Sequence, residues 1–221
     1  LYQACSDYHG MMEITEELIA GAAEGVCGGA KLPFGDVEVD YTRPWRRAKY
    51  GDLLAEHAGV SMTDPAGVRA RARELGIEES NKADAVVVNE VFEETVEPHL
   101  VQPTFVIDYP AELCPLTRRK ADDPTIAERF ELYVAGMEVA NAYTELNDPA
   151  VQEANFRQQL AGEAEGETMR VMDEDFIMAL QHGMPPAGGL GIGIDRVIML
   201  LTDRPSIRDV VLFPTLRPTG D

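Results

Sequence analysis

Arg129-Phe130-Glu131-Leu132-Tyr133-Val134 and Glu138-Val139-Ala140-Asn141-Ala142-Tyr143-Thr144, joined by Ala135-Gly136-Met137, decide the fold. Both arms are rich in the aromatic, β-branched and aliphatic residues that suit a pleated surface, and the glycine-containing turn between them makes a hairpin. Just upstream, Thr104-Phe105-Val106-Ile107-Asp108-Tyr109 lies between Pro103 and Pro110 and reads as a further, buried strand. The strands come as a hairpin rather than in regular alternation with helices. That order predicts an α+β fold, an antiparallel β-sheet flanked by helices, rather than a doubly wound parallel sheet.

Helices are expected on both sides of this unit. Asp7 to Cys27 is amphipathic, with Met11, Ile14, Leu18, Ala22 and Val26 on one face and Gly28-Gly29 as its stop. Lys31 to Asp40 reads as short strand and turn, and Tyr41 to Trp45 as irregular. Further helices are expected over Gly51–His57, from the Asp64-Pro65 cap to Gly76, and from Asn81 to Glu97 with Ala83, Val87, Val91 and Val96 inward. Asp148-Pro149 starts another, to about Leu160, and Asp173 caps one to His182. A strand near Gly188 leads into a last helix capped by Asp195. The acidic stretch Gly162–Glu167 reads as a solvated loop.

Composition excludes several classes. The 221 residues are 45% hydrophobic and 26% charged, enough for a sizeable core and too polar for a membrane protein. The longest apolar runs, Val86–Val88 and Val197–Leu201, fall far short of the ~20 residues of a membrane span. A net charge of -20 argues against a general nucleic-acid coat, yet leaves room for a polyanion held by a few arginines in a cleft. Cys5, Cys27 and Cys114 follow no metal or disulfide spacing, which suits a reducing cytoplasm. His9, His57, His99 and His182 are scattered and receive no catalytic role. The chain opens on Leu1 rather than Met, so a fragment or processed product is expected.

Three constellations could carry chemistry. In Gly188-Gly189-Leu190-Gly191-Ile192-Gly193-Ile194-Asp195-Arg196, glycines 189, 191 and 193 alternate with Leu190, Ile192 and Ile194. On a strand this gives one bare face, open to a planar ring or a phosphate, and one aliphatic face. Arg196 follows with a guanidinium fork that suits phosphate oxygens. The same residues equally suit a strand packed against another backbone, with Arg196 in a structural ion pair. Asn141, Tyr143 and Glu145 are two apart and share a face, an amide, a phenol and a carboxylate fit for a small cationic molecule or for an exposed sheet edge. Glu131 and Glu138 sit on opposite arms of the hairpin and could hold Mg²⁺ with phosphate completing its shell, or be two surface glutamates. Glu138 has the wrong strand parity for Asn141, Tyr143 and Glu145, so a shared pocket requires a bulge. Arg118-Arg119-Lys120 reads as a solvated basic loop or a phosphate contact.

Gly189 to Arg196, followed by Asp209–Pro214 and Arg217-Pro218, resembles motif 3 and the C-terminus of class II lysyl-tRNA synthetases. Asn141-Ala142-Tyr143-Thr144-Glu145-Leu146-Asn147-Asp148-Pro149 resembles that family's lysine-pocket segment. Leu1-Tyr2-Gln3-Ala4 with Asp7-Tyr8-His9 is similar to the end of its motif 2 strand, and Gln102–Phe105 and Tyr109–Glu112 fit as well. The likeness is clear at both ends and over Glu90–Pro149, and slight over Asp40–Ser80.

The resemblance implies that residues 1–221 are the C-terminal portion of a class II synthetase catalytic domain. It implies that Tyr2, Asn141, Tyr143 and Glu145 line a lysine pocket, with Glu145 facing the ε-ammonium. It puts Glu131, Gly193 and Arg196 at ATP and Glu131 and Glu138 on Mg²⁺. The partners implied are L-lysine, ATP and tRNA(Lys), in a cytoplasmic enzyme that is a homodimer at full length. Motif 1, the motif 2 loop with its arginine, the glutamate before Leu1 and an anticodon-binding domain would precede this chain, which is expected to be nearly inactive alone. Two other readings stay open: a paralogue that lysylates a protein of the elongation factor P type, and a non-catalytic synthetase-like binding module.

Overall fold

The computed structural model describes residues 1–161 and 172–214. The acidic stretch Gly162–Glu167 and the Arg217-Pro218 pair therefore lie outside the described residues. Strands are β1 (Tyr2–Ala4), β2 (Lys31–Phe34), β3 (Val37–Asp40), β4 (Arg46–Lys49), β5 (Thr104–Pro110), β6 (Ile126–Val134), β7 (Met137–Thr144) and β8 (Ala187–Ile192). Helices are α1 (Tyr8–Cys27), α2 (Tyr50–Ala58), α3 (Pro65–Glu74), α4 (Asp84–Thr95), α5 (Pro149–Ala161), α6 (Glu174–Gln181) and α7 (Ile194–Leu201). None of the described helices is long and apolar enough to cross a membrane.

Six strands form one sheet in the order β1-β8-β7-β6-β5-β4, and β2-β3 form a separate hairpin. The expected antiparallel sheet flanked by helices is found, with one exception: β4 runs parallel to β5. The sequence reading had no strand at Arg46–Lys49, because Arg-Arg-Ala-Lys is short and basic. A two-residue turn joins β6 to β7, with Ala135 and Gly136 at φ 51° and 73°. Positive φ at both positions is the twist-matched hairpin geometry.

Alternation along the strands divides the core into two layers. Phe105, Phe130, Leu132, Ala140, Ala142 and Leu190 face α1 and α7. Val106, Tyr109, Ala127 and Tyr133 face α2 and α4. On that second face α2 covers β4 and β5, while β7, β8 and β1 stay accessible.

Caps set the helix ends. Asp7 Oδ1 accepts from the His9 and Gly10 N–H groups, and Gly28 closes α1 in the left-handed region at φ 80°. The buried face of α1 differs from the expected one: Tyr8, Met11, Met12, Thr15, Glu16, Ile19, Ala20 and Ala23 are inside, whereas Leu18 and Val26 are exposed. The inward stripe contains Thr15 and Glu16, so apolar spacing alone pointed to the wrong side. Ala83 is likewise not inward but the exposed residue before α4. Gly193, not Asp195, occupies the capping position of α7.

Glu16 is 3% exposed. Its carboxylate accepts from the Trp45 backbone N–H at 3.0 Å and lies 3.6 Å from both Arg43 and Arg47. It thereby ties α1 to the irregular segment leading into β4. Glu16→Ala strands that N–H, so unfolding in urea should show a loss of about 1–3 kcal/mol. An unchanged midpoint would mean that water replaces the carboxylate.

Candidate active site

Register places the candidate residues in rows across one sheet face. Tyr2 opposes Gly189, Gly189 opposes Tyr143, and Tyr143 opposes Arg129. In the next row Gly191 opposes Asn141, and Asn141 opposes Glu131. Directly opposed residues project on the same side of a sheet. Tyr2, Asn141, Tyr143 and Glu131 thus share the face that the helices leave open, and Glu145 joins them just past β7.

The bare glycine face is real but shorter than expected, because β8 ends at Ile192 and Ile194 is exposed rather than buried. Its two glycines make room for specific side chains. A Cβ on Gly189 would stand 1.9 Å from Glu145 Oε1 and 3.0 Å from Tyr2 Cε1. A Cβ on Gly191 would meet Asn141 Oδ1 at 3.5 Å. The glycines admit neighbours closely, and the nearest of those neighbours are the side chains of Glu145, Tyr2 and Asn141 rather than another backbone.

Glu145 is the unusual member. Its Oε1 is buried and, among the described residues, has no hydrogen-bond partner. Burial raises its pKa above the ordinary carboxylate value, with no other cause. Burial also raises the Tyr143 phenol, reinforced by the nearby Glu145. The segment is fixed from both sides: the Glu145 N–H donates to the Ala187 carbonyl, and Leu146 N–H to Leu116. Gln152 and Asn155 of α5 hold the Pro115 carbonyl of that neighbouring loop.

The parity of Glu138 is resolved by a bulge. Leu132 opposes Ala140, but Tyr133 opposes Glu138, so Val139 is an extra residue in β7. Val139 turns into the α1 layer beside Ala140, and Glu138 turns to the side of Glu131 and Asn141. Asn141 Nδ2 donates to Glu138 Oε1 at 3.0 Å, linking the two halves of the face. Arg196 donates to the Glu138 carbonyl, with its guanidinium 3.7 Å from Glu138 Oε2 and half exposed. Gly193 packs beneath it: its N–H donates to Val139, and an added Cβ would meet Arg196 Cδ at 3.6 Å.

Glu131 and Glu138 line one cleft of about 200 Å³ with Glu93, Glu97, Tyr109, Arg129 and Tyr133. Glu131 has three polar partners, of which Tyr133 shares its one hydrogen between Glu131 and Glu97. Tyr109 and Tyr133 hydroxyls lie 2.7 Å from Oε2, and Arg129 binds Oε1. The Tyr133 hydroxyl is also 2.8 Å from Glu97 Oε1. Burial keeps both phenols protonated, assisted by Glu131. Burial opposes the charge on Arg129, but Glu131 and Cys114 outweigh it, and the guanidinium stays charged. Burial raises Glu97, partly offset by Tyr133 and reinforced by Glu93 and Glu131.

Among the described residues no three potential ligand side chains converge into a cation cage. Two carboxylates on one accessible face fit a magnesium ion that keeps water and phosphate in its shell.

Sequence reasoning missed Arg129, Tyr109, Tyr133 and Glu97. Arg129 and Tyr133 share strand parity with Glu131 and were recoverable from it. Tyr109 reaches this face only because Asp108 adopts φ 64° at a register shift, paired to Lys120 and Lys49. Lys120 of the basic triplet thus has a structural partner, whereas Arg118 and Arg119 are exposed. The histidines stay outside the cleft lining, with His57 and His99 stacked on each other.

Curated relatives match along the whole chain. A lysine–tRNA ligase of Carboxydothermus hydrogenoformans is 50% identical over 223 residues, covering 99% of this chain and 46% of that protein. Those of Clostridium tetani and Synechococcus sp. are each 49% identical, covering 99% and 100% of this chain and 45% and 46% of theirs. The chain thus spans about half the length of the curated relatives it matches. A family model described as tRNA synthetases class II (D, K and N) matches residues 1–217. With a mostly antiparallel sheet, a glycine-lined face and that match over almost its full length, the chain belongs to the class II tRNA synthetases of the D, K and N group.

Proposed function

We propose that residues 1–221 form the C-terminal portion of a lysine–tRNA ligase catalytic domain. The observation that carries this reading is Glu145 Oε1, a buried acceptor over the Gly189 backbone that has no donor among the described residues. A carboxylate so placed wants a cation from outside the chain, and an ε-ammonium supplies both charge and donors. Tyr2 and Tyr143 wall the aliphatic stem, and Asn141 stands between the amino-acid end and the phosphate end. Neutral amide or anionic side chains would leave Glu145 unpaired or repelled.

ATP lies along Glu131, Gly193 and Arg196 in this reading, with Arg196 on the terminal phosphate. Glu131 and Glu138 would hold Mg²⁺, which when bound neutralises phosphate charge. Lysine's carboxylate oxygen attacks the α-phosphorus, the bond to the bridging oxygen breaks, and lysyl-adenylate and pyrophosphate result. The lysyl group then passes to the terminal ribose of tRNA(Lys), releasing AMP. The chain's own work is alignment and charge placement. A homodimer is the expected full-length assembly. Relatives named for a tRNA substrate favour tRNA over a protein acceptor.

The test is thermal unfolding of the chain with L-lysine or L-norleucine, which lacks the ammonium. Lysine at about a hundred times its Kd should stabilise by about 2.7 kcal/mol, norleucine far less. Equal shifts with both would overturn the assignment.

A further inference from the structure

Each carboxylate oxygen accepts in about two directions. At Glu131 Oε2 both are taken, by the hydroxyls of Tyr109 and Tyr133 at 2.7 Å. The Tyr133 hydroxyl has one hydrogen and a second carboxylate, Glu97, at 2.8 Å. Whichever carboxylate receives that hydrogen, the phenol oxygen still covers the second direction at Oε2. Oε1 is shared with Arg129 and keeps one direction open.

We infer that Tyr109 and Tyr133 are positioning residues that restrict Glu131 to binding a cation through Oε1 alone. The inference rests on the proposed reading of Glu131 as a metal ligand, and goes beyond it to the choice of metal. Magnesium takes single oxygens in a tight octahedron, whereas calcium is larger and readily accepts both oxygens of one carboxylate. Two phenols that close Oε2 therefore disfavour calcium. The guanidinium on Oε1 opposes a bare cation, so Glu131 would hold the metal only together with the nucleotide's phosphates. Arg129 is itself fixed, stacked 4.9 Å over the Tyr109 ring and donating to Cys114 Sγ.

The experiment follows Mn²⁺ retention by electron paramagnetic resonance with ATP present, and its displacement by Mg²⁺ and by Ca²⁺. Three chains are compared: the parent, Glu131→Gln, and Tyr109→Phe combined with Tyr133→Phe. Phenylalanine keeps each ring and removes only the hydroxyl. The paired variant should raise Ca²⁺ competition relative to Mg²⁺ by about tenfold, the scale on which groups behind a ligand act. Tyr133→Phe alone should move the ratio the same way, and serves if the paired variant does not fold. A parental Ca²⁺/Mg²⁺ ratio in a folded variant, with retention lost in Glu131→Gln, overturns the inference and leaves the metal site standing. Equal retention by the parent and Glu131→Gln, or none by either, removes Glu131 from the metal site and the inference with it.

Discussion

Glu145→Gln should weaken L-lysine binding by about 150- to 5,000-fold, the equivalent of about 3–5 kcal/mol for a buried charge left without its partner. The amide keeps the shape of the side chain, so Tyr2, Tyr143 and the Gly189 backbone need not move. What disappears is the negative charge that the proposed pocket sets against the ammonium. Calorimetric titration checks this directly. Affinity within a few-fold of the parent would take Glu145 out of the pocket and leave its buried, unpartnered oxygen without a purpose.

The same substitution has an opposite expected effect on the ligand-free chain. Burial raises the pKa of Glu145 above its ordinary 4.5, so the native state binds a proton there more tightly than the unfolded state. The corresponding stability is present below 4.5 and is lost as pH rises through the raised folded value. Above that raised value the parent carries an ionised, desolvated carboxylate that glutamine removes. Urea unfolding across pH should show Glu145→Gln at least as stable as the parent near pH 7, its advantage shrinking as pH falls towards 4.5. A variant uniformly less stable would show that Glu145 is satisfied in the free protein.

Much of this arrangement was legible in the chain because period two is a strong signal. Once Arg129–Val134 and Glu138–Thr144 are read as a hairpin, Asn141, Tyr143 and Glu145 must share a face. Gly188 to Arg196 supplied the bare strand beside them. What periodicity could not supply were its own interruptions. Val139 is an ordinary strand valine between Glu138 and Ala140, and nothing in its type says that it is the residue that bulges. Asp108 looks like any polar residue in a strand, yet its φ of 64° delivers Tyr109 to Glu131. The inward face of α1 was misjudged for a related reason. Glu16 is buried by its bonds to Trp45, Arg43 and Arg47, all distant in sequence. Bulges and buried charges are set by partners that only the tertiary fold brings near.

Two adjacent glycines should separate fold from function. Gly188→Ala places a Cβ 2.9 Å from the Asp7 carbonyl oxygen and 3.0 Å from Met11 Cγ. Asp7 is the cap of α1 and Met11 is fully buried, so neither can retreat without shifting helix against sheet. Overpacking of that kind costs about 1–3 kcal/mol. Gly189→Ala turns its Cβ to the other face, 1.9 Å from Glu145 Oε1. The atom in the way is the end of a flexible side chain, which swings aside at little cost to the fold. The carboxylate is then displaced by more than an ångström, a misplacement worth about a hundred-fold in a positioned site. Alanine at 188 should therefore lower the urea midpoint, and alanine at 189 should lower lysine affinity near a parental midpoint. Identical behaviour of the two variants would contradict the strand register that opposes Gly189 to Tyr2 and Tyr143, on which the whole pocket is built.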